Sequence, residues 1–123
     1  MTTMEPPIQI LLVEDNPGDA NLTLEAFRRA QVANEVNVVG DGEAAMAYLH
    51  RQAPFAGAAT PDLVLLDLNL PLMNGHEVLA ELKADSRFST IPVVVLSTSV
   101  ADEDVLVSYK LHASSYVAKP VDL

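Results

Sequence analysis

Short apolar runs that end abruptly in polar residues place the strongest constraint on the fold of this chain. The runs occupy residues 10–13, 63–66 and 93–96, and a fourth segment occupies residues 115–118. Continuous apolar runs of this length are typical of strands buried on both faces of a parallel sheet. The residues that follow the runs are Glu14 and Asp15, Asp67, Ser97 and Thr98, and Lys119. Because the carboxyl ends of parallel strands lie along one edge, three acids, a hydroxyl and a lysine should converge there.

Helix signals alternate with these strands along the chain. Asn16 is a suitable N-cap, and Pro17 suits the first position of a helix that runs to about Ala30. The pattern predicts strands at about 8–13, 36–39, 62–67, 91–97 and 115–118, and helices at about 17–30, 43–52, 75–84 and 102–111. Strands that alternate with helices of ~10–15 residues predict an α/β domain with a doubly wound parallel sheet.

The end of the chain is unusual for this architecture. The last predicted strand is followed only by residues 119–123, so no further helix covers that edge of the sheet. Parallel sheets normally carry helices on both faces, and Asp122 would suit the N-cap of one more helix. We therefore expect a single domain over residues 8–123 whose final helix is absent from this chain, preceded by an N-terminal tail of residues 1–7.

Charge and composition exclude several classes of function. Seven Lys and Arg residues against seventeen Asp and Glu residues give a net charge of −10, which opposes unaided binding to nucleic acid or anionic lipid. The absence of cysteine excludes disulfides and thiolate metal sites. The apolar runs are far shorter than the ~18–20 residues that span a bilayer, and residues 1–7 do not resemble a signal peptide. We expect a cytoplasmic protein with protein partners, and no contact with DNA or membrane.

Blocks of residues in this order resemble the signature of bacterial response regulator receiver domains. The blocks are residues 12–16 (Leu-Val-Glu-Asp-Asn), residues 65–75 (Leu-Leu-Asp-Leu-Asn-Leu-Pro-Leu-Met-Asn-Gly), residues 96–97 (Leu-Ser) and residues 116–120 (Tyr-Val-Ala-Lys-Pro). The resemblance begins at about Ile8, and it implies a flavodoxin-like, five-stranded parallel sheet of order 2-1-3-4-5. Residues 16–19 and the long loop after the second helix resemble single-domain regulators paired with phytochrome-type histidine kinases. The implied partner is a sensor histidine kinase, with a bacteriophytochrome as the specific candidate.

The predicted acid cluster carries a charge imbalance that a metal ion would relieve. Carboxylates held close together repel one another, which raises a pKa or recruits a cation. Oxygen ligands without histidine or cysteine suit Mg²⁺. The resemblance implies that Asp15 and Asp67 bind Mg²⁺, or Mn²⁺, directly, together with the backbone carbonyl of Asn69. It also implies that Glu14 holds a metal-bound water.

The resemblance further assigns phosphoryl chemistry to the same edge. Asp67 is then the phosphoacceptor, a carboxylate nucleophile that takes a phosphoryl group from a phosphohistidine. The transferring group spreads negative charge over its equatorial oxygens, so catalysis depends on positioning and on compensating positive charge. Lys119 and the hydroxyl of Ser97 would each bind one of these oxygens, and the metal ion another. The chain would catalyse only its own phosphotransfer and autodephosphorylation, so we do not expect an enzyme that turns over a separate substrate.

Further residues near the phosphoacceptor are predicted to respond to phosphorylation or to limit access to Asp67. The resemblance implies that Ser97 and Tyr116 form the switch that responds to phosphorylation, and that the peptide bond before Pro120 is cis. Thr98 stands where many receivers carry alanine or glycine, and its stiff β-branched side chain should narrow access to Asp67. The output would be a shift in the face built by the fourth helix and fifth strand, with homodimerisation through that face.

Each assignment has a plainer alternative. Asp67 could cap the loop before Pro71, the acidic pair after the first strand could lie in a solvated loop, and Lys119 could be a surface residue. Ser97 could satisfy its own backbone, and Tyr116 could serve only in packing. The histidines are not spaced as metal ligands and should be surface or partly packed residues; they are His50, His76 and His112.

Other classes of protein share parts of this pattern. A haloacid-dehalogenase-type phosphatase also forms an aspartyl phosphate, but its nucleophile is followed two residues later by an acid, where this chain has Asn69. A flavin site is disfavoured because Glu14 and Asp15 would repel its phosphate. A phosphorylation-independent interaction module on the same fold remains the alternative, although such modules usually lack one of the acids or the lysine. The sequence predicts a two-component response regulator that accepts a phosphoryl group on Asp67 in a Mg²⁺-dependent reaction and signals through a protein-interaction face.

Overall fold

Strands and helices alternate in the computed structural model, which describes residues 6–97 and 113–119. The strands are β1 (Ile8–Val13), β2 (Asn34–Val39), β3 (Leu63–Asp67), β4 (Val93–Ser97) and β5 (Ser115–Ala118). The helices are α1 (Pro17–Arg28), α2 (Gly42–Leu49) and α3 (Gly75–Ala84). The helix predicted at about 102–111, together with Thr98 and Pro120, lies outside the described residues. Among the described residues, no helix has the length and apolar character needed to cross a membrane.

The strands pair in parallel in one sheet, in the order β2-β1-β3-β4-β5. The register of β1 and β3 sets Glu14 and Asp67 at the same level on neighbouring strands. Ser97 pairs with Ala118, so Lys119 follows beside the end of β4. The predicted α/β fold with a parallel sheet is confirmed, and the carboxyl ends of its strands carry the predicted polar residues along one edge.

Apolar layers cover both faces of the sheet. Alternate residues of a strand point to opposite faces, so Leu11 and Val13 join one layer, and Ile10 and Leu12 join the other. The first layer contains Ala45, Tyr48 and Leu49 from α2 and Val78, Leu79 and Leu82 from α3, and the second contains Ala20 and Phe27 from α1. Full burial of one such side chain stabilises a fold by about 1.5–3 kcal/mol. These layers hold the strand ends that carry the polar residues.

Each described helix begins at a side chain that caps it. Asn16, Asp41 and Asn74 accept hydrogen bonds from backbone N–H groups three residues later in the chain, at 3.0, 2.6 and 3.0 Å. Such caps satisfy donors that have no partner within the helix itself. The prediction of Asn16 as the N-cap of α1 is therefore confirmed.

Several element boundaries differ from the prediction. β4 begins at Val93 rather than at about residue 91, and α1 ends at Arg28 rather than at about Ala30. β2 begins at Asn34 rather than at Val36, because it lies at the edge of the sheet and its first two residues are polar, which hid them from the apolar pattern. α2 ends at Leu49 rather than at about residue 52. The backbone enters the left-handed region at Arg51, with φ of 54°, which a continuing helix cannot accommodate.

Two glycines allow the loop between β3 and α3 to pack closely against neighbouring backbone. A Cβ atom on Gly75 would lie 2.3 Å from the backbone oxygen of Asp67 and 2.6 Å from the Cα atom of Leu68. A Cβ atom on Gly42, at the start of α2, would lie 2.1 Å from the backbone oxygen of Met73. Gly75 also donates its N–H to the backbone oxygen of Leu68 at 3.1 Å. The end of β3 therefore lies against the start of α3 at distances that leave no room for a side chain.

Candidate functional site

Three carboxylates meet at the carboxyl edge of the sheet. Glu14 and Asp15 follow β1, and Asp67 is the last residue of β3. One carboxylate oxygen of each residue lies within 4.8 Å of the others. Glu14 and Asp67 are buried, at 3% and 4% exposure, whereas Asp15 is exposed. Two acids are thus held out of water beside a third, an arrangement that requires compensating positive charge.

Lys119, which follows β5, supplies positive charge to this cluster. Its Nζ atom donates hydrogen bonds to Asp67 Oδ2 at 2.8 Å and to Asp19 Oδ2 at 3.1 Å. It also forms an ion pair with Glu14 Oε1. The lysine side chain is 8% exposed. An ammonium group has three N–H donors, and three carboxylates surround this one.

Backbone N–H groups orient the two buried acids. Asn69 donates its N–H to Asp67 Oδ1 at 3.0 Å, and Asn16 donates its N–H to Glu14 Oε2 at 3.3 Å. One oxygen of each carboxylate is therefore held by the loop that follows its own strand. The other oxygen of each, Oδ2 of Asp67 and Oε1 of Glu14, faces Lys119. Both carboxylates are fixed in orientation by groups on two sides.

The charge balance of the cluster is incomplete. Burial raises the pKa of Glu14, the bond with Asp67 raises it further, and contact with Lys119 lowers it only in part, so that the pKa lies at about 7. Burial lowers the pKa of Lys119, but its bonds to Asp67, Glu14 and Asp19 outweigh burial and raise the pKa above its usual value. The ammonium group therefore stays charged at neutral pH. One lysine does not neutralise all the acids around it.

The donor set fits a Mg²⁺ or Mn²⁺ ion. The clustered ligand atoms of Glu14, Asp15 and Asp67 are all carboxylate oxygens, which hard divalent cations prefer. Glu14 Oε1 is buried and accepts no hydrogen bond from the described residues, although it contacts the Lys119 ammonium. Asp15 opens the cluster to solvent, which suits an ion that keeps several of its waters.

The structure brings together four of the predicted site residues: Glu14, Asp15, Asp67 and Lys119. Asn69 lies beside them through its bond to Asp67, and the metal-binding role of its carbonyl stays a prediction. Ser97 and Tyr116 occupy the expected positions in the backbones of β4 and β5, and their switch roles also stay predictions. The predicted cis bond before Pro120 and the access role of Thr98 fall on residues outside the described ones.

Neither of the described histidines belongs to the carboxylate cluster. His50 and His76 are partly exposed. The ring of His50 packs edge-on against Phe88, and its Nδ1 atom lies 3.1 Å from the guanidinium of Arg87. His112 is outside the described residues.

Asp19 is a site residue that the sequence analysis did not identify. It lies in the first turn of α1, and its carboxylate reaches Lys119 from 100 positions earlier in the chain. One signal could have found it: an acid in the first turn of the helix that follows a strand lies at the same edge of the sheet as the residues that end the strands. An acid in a first helical turn is, however, common for other reasons, since it interacts favourably with the helix dipole.

The response regulator receiver domain family matches residues 10–123 of this chain. The chain belongs to this family. The receiver is 45% identical over 118 residues to the response regulator Rcp1 of Synechocystis sp., a match that covers 96% of this chain and 80% of Rcp1. It is also 45% identical over 117 residues to the probable methanogenesis regulatory protein FilR2 of Methanothrix harundinacea, covering 95% and 75% of the two chains.

Solved structures agree with this assignment. The receiver matches the phosphorylated cyanobacterial phytochrome response regulator RcpA with a TM-score of 0.87 and 50% identity, covering 93% of this chain and 81% of that one. It matches the Mn²⁺-bound form of Rcp1 with a TM-score of 0.88 and 44% identity, covering 95% and 84%. The receiver thus belongs to a class of proteins that act in phosphorylation-dependent signalling, and its acidic cluster fits the Mg²⁺ or Mn²⁺ binding typical of that class.

Proposed function

We propose that this receiver accepts a phosphoryl group on Asp67 from a sensor histidine kinase, in a reaction that requires Mg²⁺ or Mn²⁺. The observation that carries this proposal is the setting of the Asp67 carboxylate. It is buried, one oxygen is held by the Asn69 N–H group, and the other is held by the Lys119 ammonium beside two further acids. A carboxylate in this setting is oriented to attack phosphorus and already has a cation beside it.

The transfer itself exchanges one bond to phosphorus for another. A carboxylate oxygen of Asp67 forms a bond to phosphorus as the phosphorus–nitrogen bond of the phosphohistidine breaks, and the electron pair of that bond goes to the imidazole nitrogen. Lys119, held 2.8 Å from Asp67 Oδ2, places its charge where the phosphoryl oxygens arrive. The Ser97 hydroxyl is proposed to donate to a further oxygen. Since the acceptor is part of the chain, the reaction modifies the receiver and does not turn over a separate substrate.

Four groups would hold the metal ion. Asp15 and Asp67 would bind it directly together with the backbone carbonyl of Asn69, and Glu14 would bind it through a water molecule. When bound, the ion supplies positive charge that offsets the charge of the acids and of the phosphoryl group. The indirect contact is supported by the partners that Glu14 already has, since its Oε2 atom accepts from the Asn16 N–H and its Oε1 atom faces the Lys119 ammonium.

A bacteriophytochrome-type histidine kinase is the partner that we propose. The support comes from the similarity to RcpA, a cyanobacterial phytochrome response regulator, and to Rcp1. We propose protein contact as the output, with homodimerisation through a face that includes β5, because the net charge of −10 opposes DNA binding. The cytoplasmic location and the additional C-terminal helix stay predictions from the sequence.

Phosphorylation of matched variants tests the proposal. Asp67→Asn should abolish phosphorylation by acetyl phosphate and by a phosphorylated histidine kinase, because an amide oxygen is a poor nucleophile, while the fold remains intact. Asp85→Asn is the control, since Asp85 pairs with Arg87 away from the cluster. Intact mass spectrometry with and without Mg²⁺ measures the result. Phosphorylation of the Asp67→Asn variant at the wild-type level would refute the assignment.

A further inference from the structure

Asp19 takes no part in the proposed phosphoryl transfer, yet its carboxylate binds a residue that does. Asp19 Oδ2 accepts a hydrogen bond from Lys119 Nζ at 3.1 Å. The lysine side chain is 8% exposed and the aspartate side chain 33% exposed, so the bond joins a buried ammonium group to a partly exposed carboxylate. A charge-assisted bond of this kind restrains both partners.

The helix does not require this contact for its own cap. Asn16 Oδ1 accepts from the Asp19 backbone N–H at 3.0 Å, which completes the cap without the Asp19 side chain. In a capping box, the side chain of the third helical residue accepts a hydrogen bond from the backbone N–H of the N-cap residue. Here Glu14 Oε2 accepts from the Asn16 N–H instead, at 3.3 Å. The Asp19 carboxylate is thereby left to bind Lys119.

Asp19 also differs in kind from the other two acids that bind Lys119. Glu14 and Asp67 belong to the cluster of three carboxylates that fits a metal ion, and Asp19 does not. A bound cation and phosphorylation of Asp67 would both change the contacts of the Glu14 and Asp67 carboxylates. The bond to Asp19 would persist through these changes because neither event engages its carboxylate.

We propose that Asp19 is a positioning residue that holds the Lys119 ammonium beside Asp67 during phosphoryl transfer. The geometry agrees with this role, because Lys119 Nζ donates to Asp67 Oδ2, at 2.8 Å, and to Asp19 Oδ2, at 3.1 Å, at the same time. This inference rests on the proposed function, in which Lys119 compensates charge on the phosphoryl group.

Chemical reactivity of Lys119 in the metal-free protein gives the first test. We compare the wild type with Asp19→Ala, Asp19→Asn and the control Glu25→Gln, which removes a negative charge from the same helix where it pairs with the exposed Arg28 and Arg29. Acetylation by acetic anhydride is measured at Lys119 by peptide mass spectrometry and divided by acetylation at Lys83. The ratio should rise roughly three- to ten-fold in Asp19→Ala, as expected for loss of one partly exposed charge-assisted bond. It should rise less in Asp19→Asn, which keeps an oxygen acceptor, and stay unchanged in the control.

Phosphorylation by acetyl phosphate gives the second test. Mg²⁺ is titrated to saturation for each variant, so that a difference in metal affinity does not change the measured rate of phosphorylation. The rate should fall by roughly three- to ten-fold in Asp19→Ala and by an intermediate factor in Asp19→Asn. Faster phosphorylation of Asp19→Ala would make Asp19 a competitor for Lys119 and overturn the inference. A rate equal to that of Glu25→Gln, with or without a change in Lys119 acetylation, would overturn it too.

The two proposals fail in different ways. Lack of phosphorylation in the wild type would remove the proposed function and the inference with it. Normal phosphorylation of both the wild type and Asp19→Ala would remove only the inference. Loss of folding does not confuse the result, because alanine at this position keeps the backbone N–H that Asn16 caps. A thermal melt of each variant confirms this.

Discussion

Replacement of Gly75 by alanine should disturb the phosphoacceptor more than it disturbs the fold. The added Cβ atom would lie 2.3 Å from the backbone oxygen of Asp67, whereas real Cβ atoms essentially never approach another heavy atom within 3.0 Å. It would also lie 2.6 Å from the Cα atom of Leu68. Both obstacles are backbone atoms, so no side-chain rotation relieves the overlap. Either the end of β3 or the start of α3 must move by about 0.7 Å or more.

The two consequences of this shift differ in size. Overpacking costs about 1–3 kcal/mol, and the better helix propensity of alanine returns up to about 1 kcal/mol, which leaves a net loss of roughly 0–3 kcal/mol. For a chain of this size, the melting temperature should fall by about 3–6 °C for each kcal/mol lost. A displacement near 1 Å at a reacting group can cost about 10²-fold in rate. Phosphorylation should therefore fall by roughly ten- to a hundred-fold in a protein that remains folded at 25 °C.

The assay pairs a thermal melt with the rate of phosphorylation by acetyl phosphate at saturating Mg²⁺. Gly40→Ala is the matched control, because Gly40 is exposed and a Cβ atom there would meet nothing within 4 Å. The control should keep the wild-type rate. Wild-type melting temperature and rate in Gly75→Ala would show that the close packing of β3 against α3 does not position Asp67.

Three further predictions concern the carboxylate cluster around Asp67. Millimolar Mg²⁺ should raise the melting temperature of the wild type by mass action, and Asp15→Ala should remove much of that rise. A wild-type melting temperature that does not change with Mg²⁺ would contradict the metal site. Because folding raises the pKa of Glu14 from 4.5 to about 7, its contribution to stability is full below pH 4.5 and is lost as the pH rises through 7. Without metal, the wild type should thus lose more stability than Glu14→Gln between pH 5 and pH 8, and equal losses in urea titrations would argue against a raised pKa. Thr98 lies outside the described residues, and its side chain should narrow the access of phosphodonors and water to Asp67. Thr98→Ala should therefore speed phosphorylation and phosphoryl loss by the few-fold change that corresponds to about 1 kcal/mol in the barrier. Unchanged or slower rates would exclude that role.

The apolar runs identified most of the site because they mark strands in a simple way. A strand buried on both faces has no polar residue until it leaves the sheet, so Glu14, Asp67 and Lys119 each stand at a sharp change of pattern. The strand order, in contrast, came from the resemblance to receivers. Edge positions carried less signal, and the start of β2 at Asn34 was missed for that reason.

Two features of the site depend on three-dimensional distances that local patterns do not contain. The bond of Asp19 to Lys119 joins residues 100 positions apart, and it exists only because α1 starts at the same edge where β5 ends. Gly75 was expected at a helix start, but its approach to the backbone of Asp67 depends on how α3 packs against β3. A sequence pattern fixes which residues follow a strand, and only the packed structure fixes how closely the neighbouring backbone approaches them.

The position of each charged group within the sheet has a mechanical consequence. The buried acids extend from β1 and β3, interior strands that are hydrogen-bonded on both sides, whereas Lys119 extends from β5 at the edge, which pairs only with β4 in the described sheet. An interior strand is stiff because two neighbours restrain it, and an edge strand is more compliant because it has one. The carboxylates of Glu14 and Asp67 are therefore held by the stiff interior strands, whereas the ammonium of Lys119 is attached to the more compliant edge strand. We expect a change in charge at Asp67 to shift the backbone of β5 before it shifts β1 and β3, while the bond to Asp19 keeps the Lys119 ammonium beside the acids. The structural response is then directed outward to the surface beside β5.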